Sequence, residues 1–277
     1  MVLGLHSPVA RVAAAAVVVL PVALPLAYLV CLNHFVSKNT TSSPGRRIQA
    51  SIDASSTSLY QPPIEEPLSL PEDVRSGDAQ WVVAYERVAS HPIPSSRLRF
   101  PVNESQGHMS PPSQSTSQPS GLLTAYLRAA HIAFSWTPQA FLIRSLIGDT
   151  DIRRTFDTDW ILGLSFKVGE LVNGVYRVSH YGAGNEAETE RSELMMEVPA
   201  SYTGPSASGL LVATLEVVES PRGYETDPDV IFVNETWTWR REDDRKPLLL
   251  ETPFGKWFHA ILARWLVNKG LNAVLVA

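Results

Sequence analysis

The sequence predicts an α+β fold, a curved antiparallel sheet packed with helices, behind a single N-terminal transmembrane helix. Three observations predict it. Apolar residues recur at helical spacing over 120–147 and again over 252–270. Between those stretches lie five strand-like runs, and their connections are too short for parallel crossovers. At the amino end, Val12 to Leu32 runs for 21 residues without a charge, which at 1.5 Å per residue covers about the 30 Å of a bilayer core.

Each element follows in order. The apolar run is longer than the 7 to 15 residues of a cleavable signal peptide, so residues 1–36 are expected to form an uncleaved signal anchor. Residues 37–79, rich in Ser, Thr and Pro, read as a disordered linker. Residues 80–277 are expected to form the globular domain, interrupted by a low-complexity loop at 103–120. Within it Gln80 to Val88 has the Val, Tyr and Trp content of a strand. Ser120 is placed to cap a helix whose stripe is Leu122, Leu123, Tyr126, Leu127, Ala130 and Phe134. Thr137-Pro138 restarts a helix that Gly148 stops, and Thr252-Pro253 opens a last one that Gly270 stops. The five strand-like runs are 159–168, 171–181, 190–198, 209–220 and 229–241.

Composition excludes several chemistries. With 23 Lys and Arg against 28 Asp and Glu, a net charge of −5 and no long basic cluster, nucleic acid is not an expected partner. One cysteine rules out an intramolecular disulfide, a cysteine zinc site and a redox pair. No HExxH, GxSxG, GxGxxG or GxxxxGK[ST] pattern occurs, so neither metal nor cofactor is expected.

A two-residue period divides Val230 to Arg241 into two faces. Ile231, Val233, Glu235, Trp237 and Trp239 form the face expected to be buried, which turns Asn234 outward. Glu235 then carries a carboxyl into aromatic surroundings, where desolvation raises its pKa toward general acid or base work. The alternative is a structural ion pair with an arginine such as Arg177. The same alternation sets Tyr176, Val178 and His180 on one face, offering a hydroxyl donor and a titratable base. Trp237 and Trp239 are expected either as core or as the wall of a pocket for an apolar ligand. His131 and His259 read as packing residues. Asn39, Asn103 and Asn234 are glycosylation acceptors by pattern, which favours a lumenal domain of the endomembrane system. Lys38, Arg46 and Arg47 argue the other way, toward a cytosolic one.

The segments SLPEDVRSGDAQWVVAYERVAS, LLTAYLRAAHIAFSWTPQAF, FKVGELVNGVYRVSHYG, FVNETWTWRR and WFHAILARWLVNKG together resemble a family of fungal membrane-anchored proteins. Some of its members are encoded in secondary-metabolite gene clusters. The resemblance carries no catalytic residues. It implies a natural-product context, in which a hydrophobic small-molecule intermediate, the membrane and other biosynthetic enzymes are the expected partners. In outline the domain is also similar to small cyclase and lipid-binding folds. The expected function is a cofactor-independent cyclisation, isomerisation or dehydration of a polyketide-, terpenoid- or peptide-derived intermediate. A non-catalytic carrier or scaffold for such a molecule is the alternative.

Overall fold

The computed structural model describes residues 27–48, 66–76, 81–102, 118–183, 189–205, 208–218, 227–244 and 246–276. Residues 27–36 are helical, and Cys31 on them is exposed. Among the described residues no helix is long and apolar enough to cross a membrane. Most of the expected anchor, residues 12–26, lies outside them.

From Asn39 onward the chain is one compact α+β unit around an open, curved antiparallel sheet. The strands are β1 (Thr40–Ile48), β2 (Trp81–Ser90), β3 (Ile93–Pro94), β4 (Leu171–Val172), β5 (Tyr176–Ala183), β6 (Thr189–Met196), β7 (Ser208–Val218) and β8 (Asp229–Arg241). Their order is β1-β2-β8-β7-β6-β5-β4, with β3 paired to β8. The meander from β4 to β8 is therefore extended by β2, a strand separated from it in sequence by the helical stretch 121–163. The helices are α1 (Glu72–Ser76), α2 (Gly121–Ser135), α3 (Pro138–Leu146), α4 (Thr150–Arg154), α5 (Thr158–Gly163) and α6 (Pro253–Val274).

Capping chemistry starts the helices where the sequence places them. Ser120, Thr137 and Thr252 each accept a backbone N–H from three residues ahead, the last two with proline at the first helical position. Three expectations are corrected. Residues 159–168 do not form a strand. Residues 158–163 turn helical, with Asp159 in the first turn, Ile161 buried and Trp160 exposed, so the burial period is not two. Gly270 does not stop α6, which continues to Val274. A Cβ at Gly270 would collide with the Tyr126 ring, so the glycine lets α2 and α6 approach closely. The expected linker contributes two ordered pieces, β1 at the sheet edge and the strap 66–76. Pro44 is tolerated in β1 because an edge strand has one side without ladder bonds.

Both faces of the sheet are covered. On one, α2 and α6 pack on Val88, Phe232, Leu215, Leu194 and Val178. On the other, the strap presses Leu70 and Val74 onto Val83, Tyr85, Leu210, Val212, Trp237 and Trp239. The strap is fixed by Glu193, wholly buried, whose carboxylate accepts the backbone N–H of Leu68 at 2.9 Å and of Ser69 at 2.6 Å.

Candidate functional site

The residues nominated from sequence fall on both faces. Glu235 is buried on the strap side. Its Oε2 accepts the Trp237 indole N–H at 3.0 Å and its Oε1 lies 3.4 Å from Arg87. Burial raises its pKa, while the indole bond, Arg191 and Arg87 pull the other way. The arginine beside it is Arg87 and not Arg177, which pairs with Glu197 at 2.6 Å. Trp237 stacks on Tyr85 with centroids 4.9 Å apart and, like Trp239, is packed into the cluster under the strap. On the indole-bearing side both rings are buried among the side chains of this cluster.

A β-bulge between Val178 and His180 corrects a second expectation. It turns His180 to the strap side, opposite Glu193, while Tyr176 and Val178 face the helices. His180, Glu193, Val212 and Glu235 then form one row across β5, β6, β7 and β8. Three strand spacings place its ends about 14 Å apart, so His180 and Glu235 share a face but cannot serve one reacting atom. Tyr176 lies on the opposite face with its ring 6.2 Å from Phe134, and burial pushes its phenol up to about 12.

Asn234 faces the helices and not the exterior. Its Oδ1 accepts the O–H of buried Tyr126 at 3.0 Å, and the residue is half-buried. Asn39 is exposed, with its Nδ2 donating to Asn268 at 3.3 Å. Asn103 lies outside the described residues.

The half-buried part of the sheet is on the helix side. α2 ends over β5, where Phe134 meets Tyr176 and His131 Nδ1 lies 2.7 Å from Asn173 Oδ1. α6 begins over β2, where His259 Nδ1 lies 2.5 Å from Glu86 Oε2. Strands β8, β7 and β6 separate β2 from β5, four spacings or about 19 Å. Helices in contact lie only about 8–10 Å apart. The two helices meet at Tyr126 and Gly270 and splay toward this end of the sheet. Between them, among the described residues, the floor of the resulting cleft is Asn234, Thr236 and Thr238 of β8, Leu211 of β7 and Met196 of β6. Each of these is half-buried, although Val233, Glu235, Trp237 and Trp239 behind them on β8 are buried.

Against this floor stands a carboxylate–imidazole pair. Glu86 is opposite Thr236 in the ladder and 3% exposed. Its Oε1 accepts Ser42 Oγ–H at 2.7 Å, and its Oε2 engages His259 Nδ1, which leaves Nε2 as the ring's other nitrogen. A carboxylate on Nδ1 fixes ring orientation and tautomer and stabilises the imidazolium, the orienting role it has in acid–base catalysis. The sequence marked each residue of this pair as unusual in its place without linking the two. Glu86 interrupts an apolar strand as Glu235 does, and His259 lies in line with Leu262 and Leu266 along α6.

His131 is a separate case. Wholly packed against Phe166, with Asn173 bonded in turn to Ser135 at 2.8 Å, its imidazole is driven by burial down to about 4. Phe166 and Asn173 both hold positive φ, 53° and 47°, and the second belongs to the tight β4–β5 turn with Gly174. This group braces α2 on the sheet. No three His, Cys, Asp or Glu among the described residues converge as metal ligands.

No protein-family model matches the chain, nor does any curated protein or solved structure.

Proposed function

We propose that the protein acts on a hydrophobic small molecule by cofactor-independent proton transfer in the cleft between α2, α6 and the sheet, with His259 as the base and Glu86 as its orienting carboxylate. The observation that carries the reading is the Glu86–His259 pair at 2.5 Å beside a half-open floor of Thr, Leu and Met side chains. An apolar cleft with a few convergent polar groups suits a lipophilic ligand. A positioned imidazole contributes about 10²–10⁴-fold to a proton transfer. Cyclisation, isomerisation and dehydration are the reactions such a base serves without a cofactor. The place of this chemistry is a membrane-anchored accessory of fungal secondary-metabolite biosynthesis, a context that rests on the resemblance of the segments quoted above.

The test is made in the native host. His259→Asn keeps an amide donor toward Glu86 and removes the base. It is expected to lower the downstream metabolite at least 100-fold and to accumulate the same intermediate as deletion of the gene, with the melting temperature within a few degrees of wild type. Glu235→Gln, on the strap-covered face, is expected to leave the metabolite level unchanged. Unchanged product in His259→Asn points to the carrier reading. Loss of product in a folded Glu235→Gln moves the chemistry to the strap side.

A further inference from the structure

The cleft has a blind end, and the groups there specify one feature of its ligand. Asn234 is the deepest floor residue, next to the point where α2 and α6 touch. Tyr126, fully buried between Gly270 and Phe232, donates its hydroxyl to Asn234 Oδ1 at 3.0 Å. That bond fixes which way the amide is turned, because its oxygen is taken on the buried side. The group left to the half-exposed side is Nδ2, a donor only. Two residues along β8, about 6.6 Å toward the mouth, comes Thr236. Its cross-strand partner is Glu86, with Cβ atoms about 5 Å apart, and Glu86 holds His259. A fixed donor on β8 and an oriented imidazole above β2 therefore border the same stretch of floor.

This inference rests on the proton-transfer reading above. We propose that the cleft takes an enolisable carbonyl compound, with its oxygen on Asn234 Nδ2 and an α-carbon toward His259 Nε2. Such a ligand makes a hydrogen bond of about 2.9 Å at its oxygen and a reacting contact of about 3 Å at its α-carbon. In the step itself the α C–H bond breaks and its proton goes to His259 Nε2. The C–H pair becomes the C=C bond of the enolate, and the carbonyl π pair moves to oxygen, where the Asn234 N–H and the Thr236 hydroxyl meet the growing charge. Glu86 stabilises the imidazolium. Return of the proton to oxygen or to another carbon completes an enolisation or an isomerisation, and no oxidant or reductant enters.

The experiment is deuterium uptake in D₂O near neutral pH by cyclohexanone, 2-decalone and 1-tetralone, followed by mass spectrometry. It uses the full chain in phosphatidylcholine nanodiscs. Wild type is expected to accelerate exchange at the carbons next to the carbonyl of at least one ketone over buffer. Asn234→Asp retains the Tyr126 bond and loses the donor, and is expected to lower that acceleration at least tenfold. Tyr126→Phe keeps the ring against Gly270 and frees the amide to turn, so a smaller loss is expected. His259→Asn is expected to abolish the acceleration. Where Asn234→Asp lowers the melting temperature, Asn234→Ser takes its place. Exchange that is unaltered in a folded Asn234→Asp or Asn234→Ser overturns the placement of the carbonyl. A wild type that accelerates exchange in none of the three ketones overturns the carbonyl inference, and the host experiment on His259→Asn then shows separately whether the proton-transfer reading stands.

Discussion

At the scale of single residues, charge burial sets how this protein responds to pH. His131 has a folded pKa of about 4 against 6.5 unfolded, so between those values the unfolded chain takes up a proton that the fold refuses. Stability is therefore expected to fall as pH drops from 6.5 to 4, by up to about 3 kcal/mol. His131→Gln should flatten that dependence, as measured by denaturant midpoints at pH 7 and pH 4.5. Glu235 acts with the opposite sign. Its raised pKa favours the fold at low pH and costs stability as pH rises from 4.5 through the folded value, so it offsets part of the His131 effect. The buried, pKa-raised carboxyl of Glu235 was legible in the sequence because a charged residue in an apolar strand is informative wherever it occurs. Its role was not, since alternation tells which residues share a face and not which face is open. The same limit hid His259, because nothing in a helical stripe says that the side chain it meets is a carboxylate from a strand 173 residues away.

At the scale of elements, the caps at Ser120, Thr137 and Thr252 were readable because they are local chemistry, complete within four residues. Gly270 was not, because its meaning lies in Tyr126, across the helix–helix contact. Gly270→Ala is expected to destabilise by about 1–3 kcal/mol through overpacking, read as a lowered denaturant midpoint with unchanged m. Against Tyr126→Phe the cost should persist, since the ring and not the hydroxyl is the obstacle. The Ser179 bulge escaped for a similar reason. One extra residue in β5 reverses the parity of everything after it, and no residue type in 176–183 announces it. Residues 159–168 were read as strand from their apolar content, where 158–163 are helical. The acid in the first turn and the exposed Trp160 are what a helix required there.

At the scale of the whole molecule, the α+β class and the antiparallel order of the meander were legible from the sequence of periodicities and the short connections. The place of β2 was not, because pairing partners far apart in the chain leave no local mark. Glycosylation tests the expected lumenal placement of the domain. A lumenal domain predicts that endoglycosidase digestion shifts the band of wild type and of Asn234→Gln alike, through Asn39 and Asn103, since Asn234 faces the cleft. A band that never shifts removes the support the sequons give to a lumenal domain. The ladder between β2 and β8 has one more consequence. Glu86 and Thr236, paired in the finished sheet, leave the ribosome 150 residues apart, and at about 5–20 residues per second the earlier strand waits on the order of ten seconds or more for its partner. With Tyr85 on one side and Val88 on the other, both destined for the interior, that interval is when the nascent chain is most exposed to wrong associations and most in need of a chaperone.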